Sequence, residues 1–158
     1  MSLLGKYKSS TGFVQLMRLL ELSDAEKQKS LLLLVGEEDP GWARLVQLKM
    51  ISREKILLWP QDVLEQILTS LDARLLAALV SPQVCHSDVL IRENVKRSVP
   101  ARVFRELTAI LAQSSFSESE RWAASIQLIQ NIREMEHLGL IDLSQVDPAL
   151  KIHPKLVA

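Results

Sequence analysis

At 158 residues the chain is long enough for one core or two small packed units, and 19 Lys plus Arg against 19 Asp plus Glu leave a formal net charge of zero. Charges of both signs mix along the chain, so the domain-wide basic field used for nucleic-acid binding is missing, and nucleic acid is not an expected partner. Only 4% of residues are aromatic, leucine and alanine dominate, and glycine and proline sit at apparent boundaries, which is an all-α composition.

Phe13, Leu16, Met17 and Leu20 recur at spacings of three and four, which predicts a first helix over about 12–21. Ser23 and Glu26 have the spacing of a capping box, and the leucine run after them is too broad for a one-sided surface helix, so a second helix packed on two sides is expected. The string "EEDPGWARLVQLKM" puts Glu37, Glu38, Asp39 and Pro40 at a helix start, where carboxylates suit the macrodipole. Trp42, Leu45, Val46 and the stem of Lys49 then face inward, and this third helix ends near Met50.

Ser52 can cap a short helix ending at Trp59, and Pro60 both blocks its continuation and suits the first turn of a helix through Ser70. Asp72 caps "ARLLAALV", which Pro82 breaks. Helices over about 87–97 and 100–113 follow, then a long one from the capping box Ser117-x-x-Glu120 to about 138, stopped by Gly139. The ending "VDPALKIHPKLVA" carries Pro148 and Pro154 and reads as a weakly structured tail.

Short helices, tight breaks and broad apolar faces predict an armadillo-like or HEAT-like stack, although no strict period accompanies them, and a plain helical bundle is the alternative. The stretch "KMISR" lies between two helical groups and is the candidate hinge. Cys85 is alone, so no internal disulfide can form, and with no signal-peptide pattern the cytoplasm is the expected compartment. The apolar run 31–35 is far shorter than the roughly 20 residues that span a bilayer, so membrane association is expected only through a partner.

Chemistry is sparse. His86, His137 and His153 are far apart, and the adjacent Cys85 and His86 cannot supply the three or four ligands a metal needs, so no metal site is expected. Phosphate loops, zinc-protease motifs and nucleophile elbows are absent, so neither catalytic residues nor a cofactor is expected. The three tryptophans and the run 31–34 read as core.

The string "EEDPGWARLVQLKM", followed by "ISREKILLWPQDVLEQILTSLD", resembles the carboxy-terminal half of FliG, the rotor and switch protein of the bacterial flagellar motor. The register holds without a gap from Glu37 to Asp72. The likeness resumes at "IRENVKRSVPARVFRELTAILAQ", similar to the family's torque helix and the segment before it, and ends at "IREMEHLGLIDL". It implies an armadillo-like right-handed helical stack of two small subdomains: residues 1–50 as the family's second armadillo-like unit and 51–158 as its torque-helix domain with the tail. The family's amino-terminal and middle domains have no counterpart here, which implies a fragment of a longer protein or a shortened paralogue.

The departures from the family fall on its working parts. Met50, Ile51, Ser52 and Arg53 stand at the hinge, keeping the methionine and losing both phenylalanines. Arg102 takes the place of the torque-helix arginine, but the places of the paired acids hold Ala109 and Ile110. The flanking basic positions hold Val80 or Ser81 and Ser117 or Glu118. Helical spacing puts Arg102, Arg105 or Glu106, then Ala109 and Gln113 along the outer side, with Phe104, Leu107 and Leu111 inward.

The resemblance implies a non-enzymatic rotor component on the cytoplasmic face of the flagellar basal body. Its expected partners are neighbouring copies, other rotor or switch proteins and a cytoplasmic loop of the stator. The alternative is a helical adaptor of another secretion or motility apparatus that makes no torque.

Overall fold

The computed structural model describes residues 5, 7, 9–81 and 88–150. They form α1 (Ser10–Leu22), α2 (Ala25–Glu38), α3 (Pro40–Lys49), α4 (Arg53–Leu57), α5 (Gln61–Leu68), α6 (Ala73–Val80), α7 (Asp88–Ser98), α8 (Ala101–Gln113), α9 (Glu118–His137) and α10 (Leu143–Val146), then a 3₁₀ turn at Pro148–Leu150. Among the described residues there is no strand. The chain divides into two compact units, one of residues 1–51 with 142–158 and one of residues 52–141.

In the first unit, Phe13, Leu16, Met17 and Leu20 line one face of α1 and are buried together with Val35 of α2 and Val46 of α3. The Phe13 ring meets Trp42 edge-on, at 5.4 Å between centroids, the arrangement favoured by opposed ring quadrupoles. Burying each of these large side chains contributes about 2 kcal/mol, so the face of α1 holds the unit together far more than any one hydrogen bond. Two buried charged residues sit at its end. Glu21 accepts the Ile51 N–H at 3.1 Å, and Lys49 Nζ donates to the Ala149 carbonyl.

In the second unit α6 lies at the centre and packs on α7, α8 and α9. Its last five residues, Leu76 to Val80, are all buried, which "LLAALV" allows because alanines let neighbouring helices approach on every side. Ile56, Leu64, Ile67, Val95, Leu107 and Leu128 complete the same core.

The helix starts follow capping chemistry. Ser52 accepts the Lys55 N–H and Asp72 the Leu75 N–H, both as the sequence suggests. At Ser117 the full capping box forms, with Glu120 reaching back to the Ser117 N–H. Gly139 takes φ +73°, the left-handed residue that ends α9.

Several expectations are corrected. Asp24, not Ser23, caps α2: its carboxylate accepts the Lys27 N–H, while Ser23 closes α1 by donating its hydroxyl to the Leu19 carbonyl. An aspartate and a serine side by side offer two possible caps, and α1 claims the serine. Glu37 and Glu38 do not open α3 but occupy the last turn of α2, and only Asp39 caps α3, accepting the Trp42 N–H.

Nor is α2 packed on two sides. Val35 is buried and Leu31 and Leu32 partly so, but Leu33 and Leu34 are 62% and 49% exposed. Four consecutive leucines span more than a full turn, so one-sided packing must leave two of them outward.

The ending also differs from a weakly structured tail of the second unit. Residues 142–150 belong with the first unit, where Leu143 and Leu150 are buried and the 3₁₀ turn packs on α3. Pro82, Cys85, His86, His153 and Pro154 lie outside the described residues.

Candidate functional site

The helix α8 enters after Pro100, whose missing N–H costs nothing at a helix start, and ends where the Ser114 N–H donates to the Ile110 carbonyl. It packs on α6 and α7. Leu107 is fully buried and Val103, Phe104, Ile110 and Leu111 are half-buried. Arg102, Arg105, Glu106, Ala109 and Gln113 are all exposed, so the four ridge residues named from the sequence share one solvent face.

The electrostatics of that face work against the helix. No acidic residue lies in the first turn of α8 and no side chain caps it. Arg102 therefore stands in the first turn, at the positive end of the macrodipole, where a cation is unfavourable, and Arg105 follows one turn on. Arg102 Nε is 3.8 Å from Glu106 Oε1, with the side chains 81% and 54% exposed. A solvated pair with arginine on the amino-terminal side is the weaker i,i+4 order, offsetting at most a few tenths of a kcal/mol.

The helix before it, α7, is also rich in exposed cations. Arg92, Lys96 and Arg97 are exposed, and between residues 92 and 105 these three with Arg102 and Arg105 face one acid, Glu93. Lys96 Nζ lies 5.8 Å from the centre of the Phe104 ring, so a cation of α7 rests against an aromatic of α8. Arg97 Nη2 donates to Asn94 Oδ1 at 2.6 Å, and Asn94 in turn donates to the Leu57 carbonyl, which fixes this end of α7. The cations of α7 were not singled out in the sequence; their excess over residues 92–105 was the available signal.

The other positions singled out in the sequence carry no cation. Val80 and Ser81 are buried, and Ser117 is committed to the cap of α9, with Glu118 exposed beside it. Of the hinge residues, Ile51 is buried in the first unit, Met50 caps α3, Ser52 caps α4 and Arg53 is buried in the second unit. The division between units falls between Ile51 and Ser52.

One open groove of about 340 Å³ lies between α6 and α9, lined by Asp72, Arg74, Leu75, Phe116, Glu120 and Gln127 among others. Asp72 and Glu120 serve as helix caps, and Arg74 stacks 5.4 Å above the Phe116 ring. Among the described residues no three His, Cys, Asp or Glu stand together as metal ligands, and no helix is long and apolar enough to cross a membrane.

No family model, curated protein or solved structure matches this chain.

Proposed function

We propose that this chain is a non-enzymatic rotor or switch component of a bacterial flagellar motor, built like the carboxy-terminal half of FliG. Its helices form an armadillo-like right-handed stack of two subdomains, which assembles with neighbouring copies and switch proteins at the cytoplasmic face of the basal body. It uses no cofactor, and it meets a stator loop or switch partner through α8.

The observation that carries this reading is the α8 face: Arg102 and Arg105 are held exposed on a well-packed helix, Arg102 in a first turn where a cation costs stability, and α7 before it adds three exposed cations. Locally unfavourable charges on a well-packed element are the mark of a surface kept for a partner. With Ala109 and Ile110 where the family's acids stand, Glu106 is the one acid left on the ridge, so the ridge favours acidic surfaces over basic ones and its partner set is narrower than that of the family.

The second reading, a torque-free helical adaptor, is favoured by that same absence of acids. Mixing the chain with a switch protein or a stator cytoplasmic loop separates the two. The rotor reading expects binding that weakens with added salt and falls about tenfold or more in Arg102→Glu/Arg105→Glu. Binding indifferent to both would remove the charged ridge from the account.

A further inference from the structure

The first unit is assembled from two stretches of chain that lie far apart in sequence. Residues 1–51 supply α1, α2 and α3, and residues 142–150 return to them only after the whole of the second unit has passed. This returning segment is a strap with local structure of its own. Asp142 caps α10 by accepting the Ser144 N–H at 3.0 Å, and the Asp147 carboxylate accepts the Ala149 N–H at 2.9 Å. The 3₁₀ turn at its end packs on α3, where the Ala149 carbonyl accepts from the buried Lys49 Nζ.

The strap is lightly held. Leu143 and Leu150 are its two buried leucines, and their burial with one long-range hydrogen bond stands against the entropy of ordering the whole segment. The apolar cluster of α1, α2 and α3 contains neither leucine, so that core stays packed when the strap leaves.

The lead into the strap has no slack. Within the second unit Gln66 donates to the Leu140 carbonyl at 2.8 Å and Ile141 is buried, while Asp142 is already the cap of α10. The boundary between the units falls between Ile141 and Asp142, so no residue is left over as a linker. On so short a lead the strap can reach its own seat on α3 in few arrangements of the chain, whereas the seat of another copy makes no such demand.

We propose that copies of this chain pair by exchanging residues 142–150, each strap seating on α3 of the other copy about a two-fold axis. The contacts are the same at home and in exchange, so the occupant is fixed by chemistry present in a single chain: two leucines and a carbonyl that takes the Lys49 proton donor. Reciprocal exchange fills both seats and closes on itself, which gives a dimer and no longer chain. It uses neither α7 nor α8 and stands or falls independently of the flagellar reading.

Sedimentation velocity of the full chain, equilibrated from about 1 µM to about 1 mM, is the first test, and a dimer that grows with concentration is expected. Inserting Gly-Ser-Gly-Ser between Ile141 and Asp142 alters no existing side chain and gives the strap room to seat at home. The dimer should then weaken about tenfold or more, while the thermal midpoint of the monomer stays level, which separates lost exchange from lost fold. In a dimer of one isotope-labelled and one unlabelled copy, filtered NMR spectra should show Leu150 methyl contacts with α3 across the two copies. A chain monomeric throughout the range, a dimer indifferent to the insertion, or a mixed dimer whose Leu150 touches only the α3 of its own copy overturns the proposal.

Discussion

Arg53 is the residue on which the second unit depends most. Its side chain is 2% exposed, yet it carries a full charge. Nε donates to the Leu79 carbonyl at 2.6 Å, one of the last carbonyls of α6 that the helix itself leaves without a partner. Nη1 donates to Glu54 at 3.2 Å, and Nη2 stands 3.7 Å from Asp88 at the first residue of α7. One planar guanidinium thus ties α4 to the end of α6 and the start of α7. Arg53→Ala strips the Leu79 carbonyl and Asp88 of this partner and opens a hole, and should cost about 3 kcal/mol in urea unfolding. Arg53→Lys keeps the charge but not the fork, and should recover less than half of that loss. None of this was legible beforehand. Spacing places Arg53 at the first position of a short helix after a serine cap, where a charged residue ordinarily faces water, and only contacts with residues 26 and 35 positions away bury it. As a swivel it is poorly suited, being held from three directions within its own unit.

Helix boundaries were the most legible feature, because they rest on chemistry within four residues. Asp72, Ser52 and the pair Ser117 and Glu120 each supply the hydrogen bonds their spacing implies. Where two capping residues adjoin, as at Ser23 and Asp24, local chemistry allows both and the packing of α1 against α2 decides. Asp39 joins two elements: its N–H closes α2 on the Val35 carbonyl while its carboxylate opens α3. Asp39→Ala should therefore lower stability by about 1 kcal/mol, and Asp39→Asn, which keeps the accepting oxygen, by only a few tenths, both read as shifts in the urea midpoint. The face of α2 was misjudged for a different reason. A leucine run carries no period, so it cannot tell a helix covered on two sides from one that leaves two leucines outward.

At the scale of the molecule, the all-helical class follows from composition. The return of residues 142–150 to the first unit does not, since the contact of Lys49 with the Ala149 carbonyl joins residues 100 apart. The zero net charge likewise hides the basic edge of α7 and α8, because acids elsewhere cancel it. That edge leads to the prediction for the living cell. If the chain is a rotor component, deleting its gene removes either filaments or their rotation, which microscopy distinguishes: filament loss means the chain is needed for assembly, paralysis means it is needed for torque. Restoring the natural chain should then restore swimming, whereas Arg102→Glu/Arg105→Glu should restore filaments without restoring speed. Under that reading assembly runs through other helical faces, and because both arginines are exposed on α8 their reversal should leave the fold intact. Lys96→Glu/Arg97→Glu should act in the same direction, because the edge attracts its partner through a summed field and not through one pair. Normal swimming after deletion, in a strain without a second full-length copy, assigns the chain to the adaptor class. The same arginine variants would then be scored on whichever assembly the deletion disturbs, since an acidic surface would offset the unfavourable placement of Arg102 in the first turn of α8.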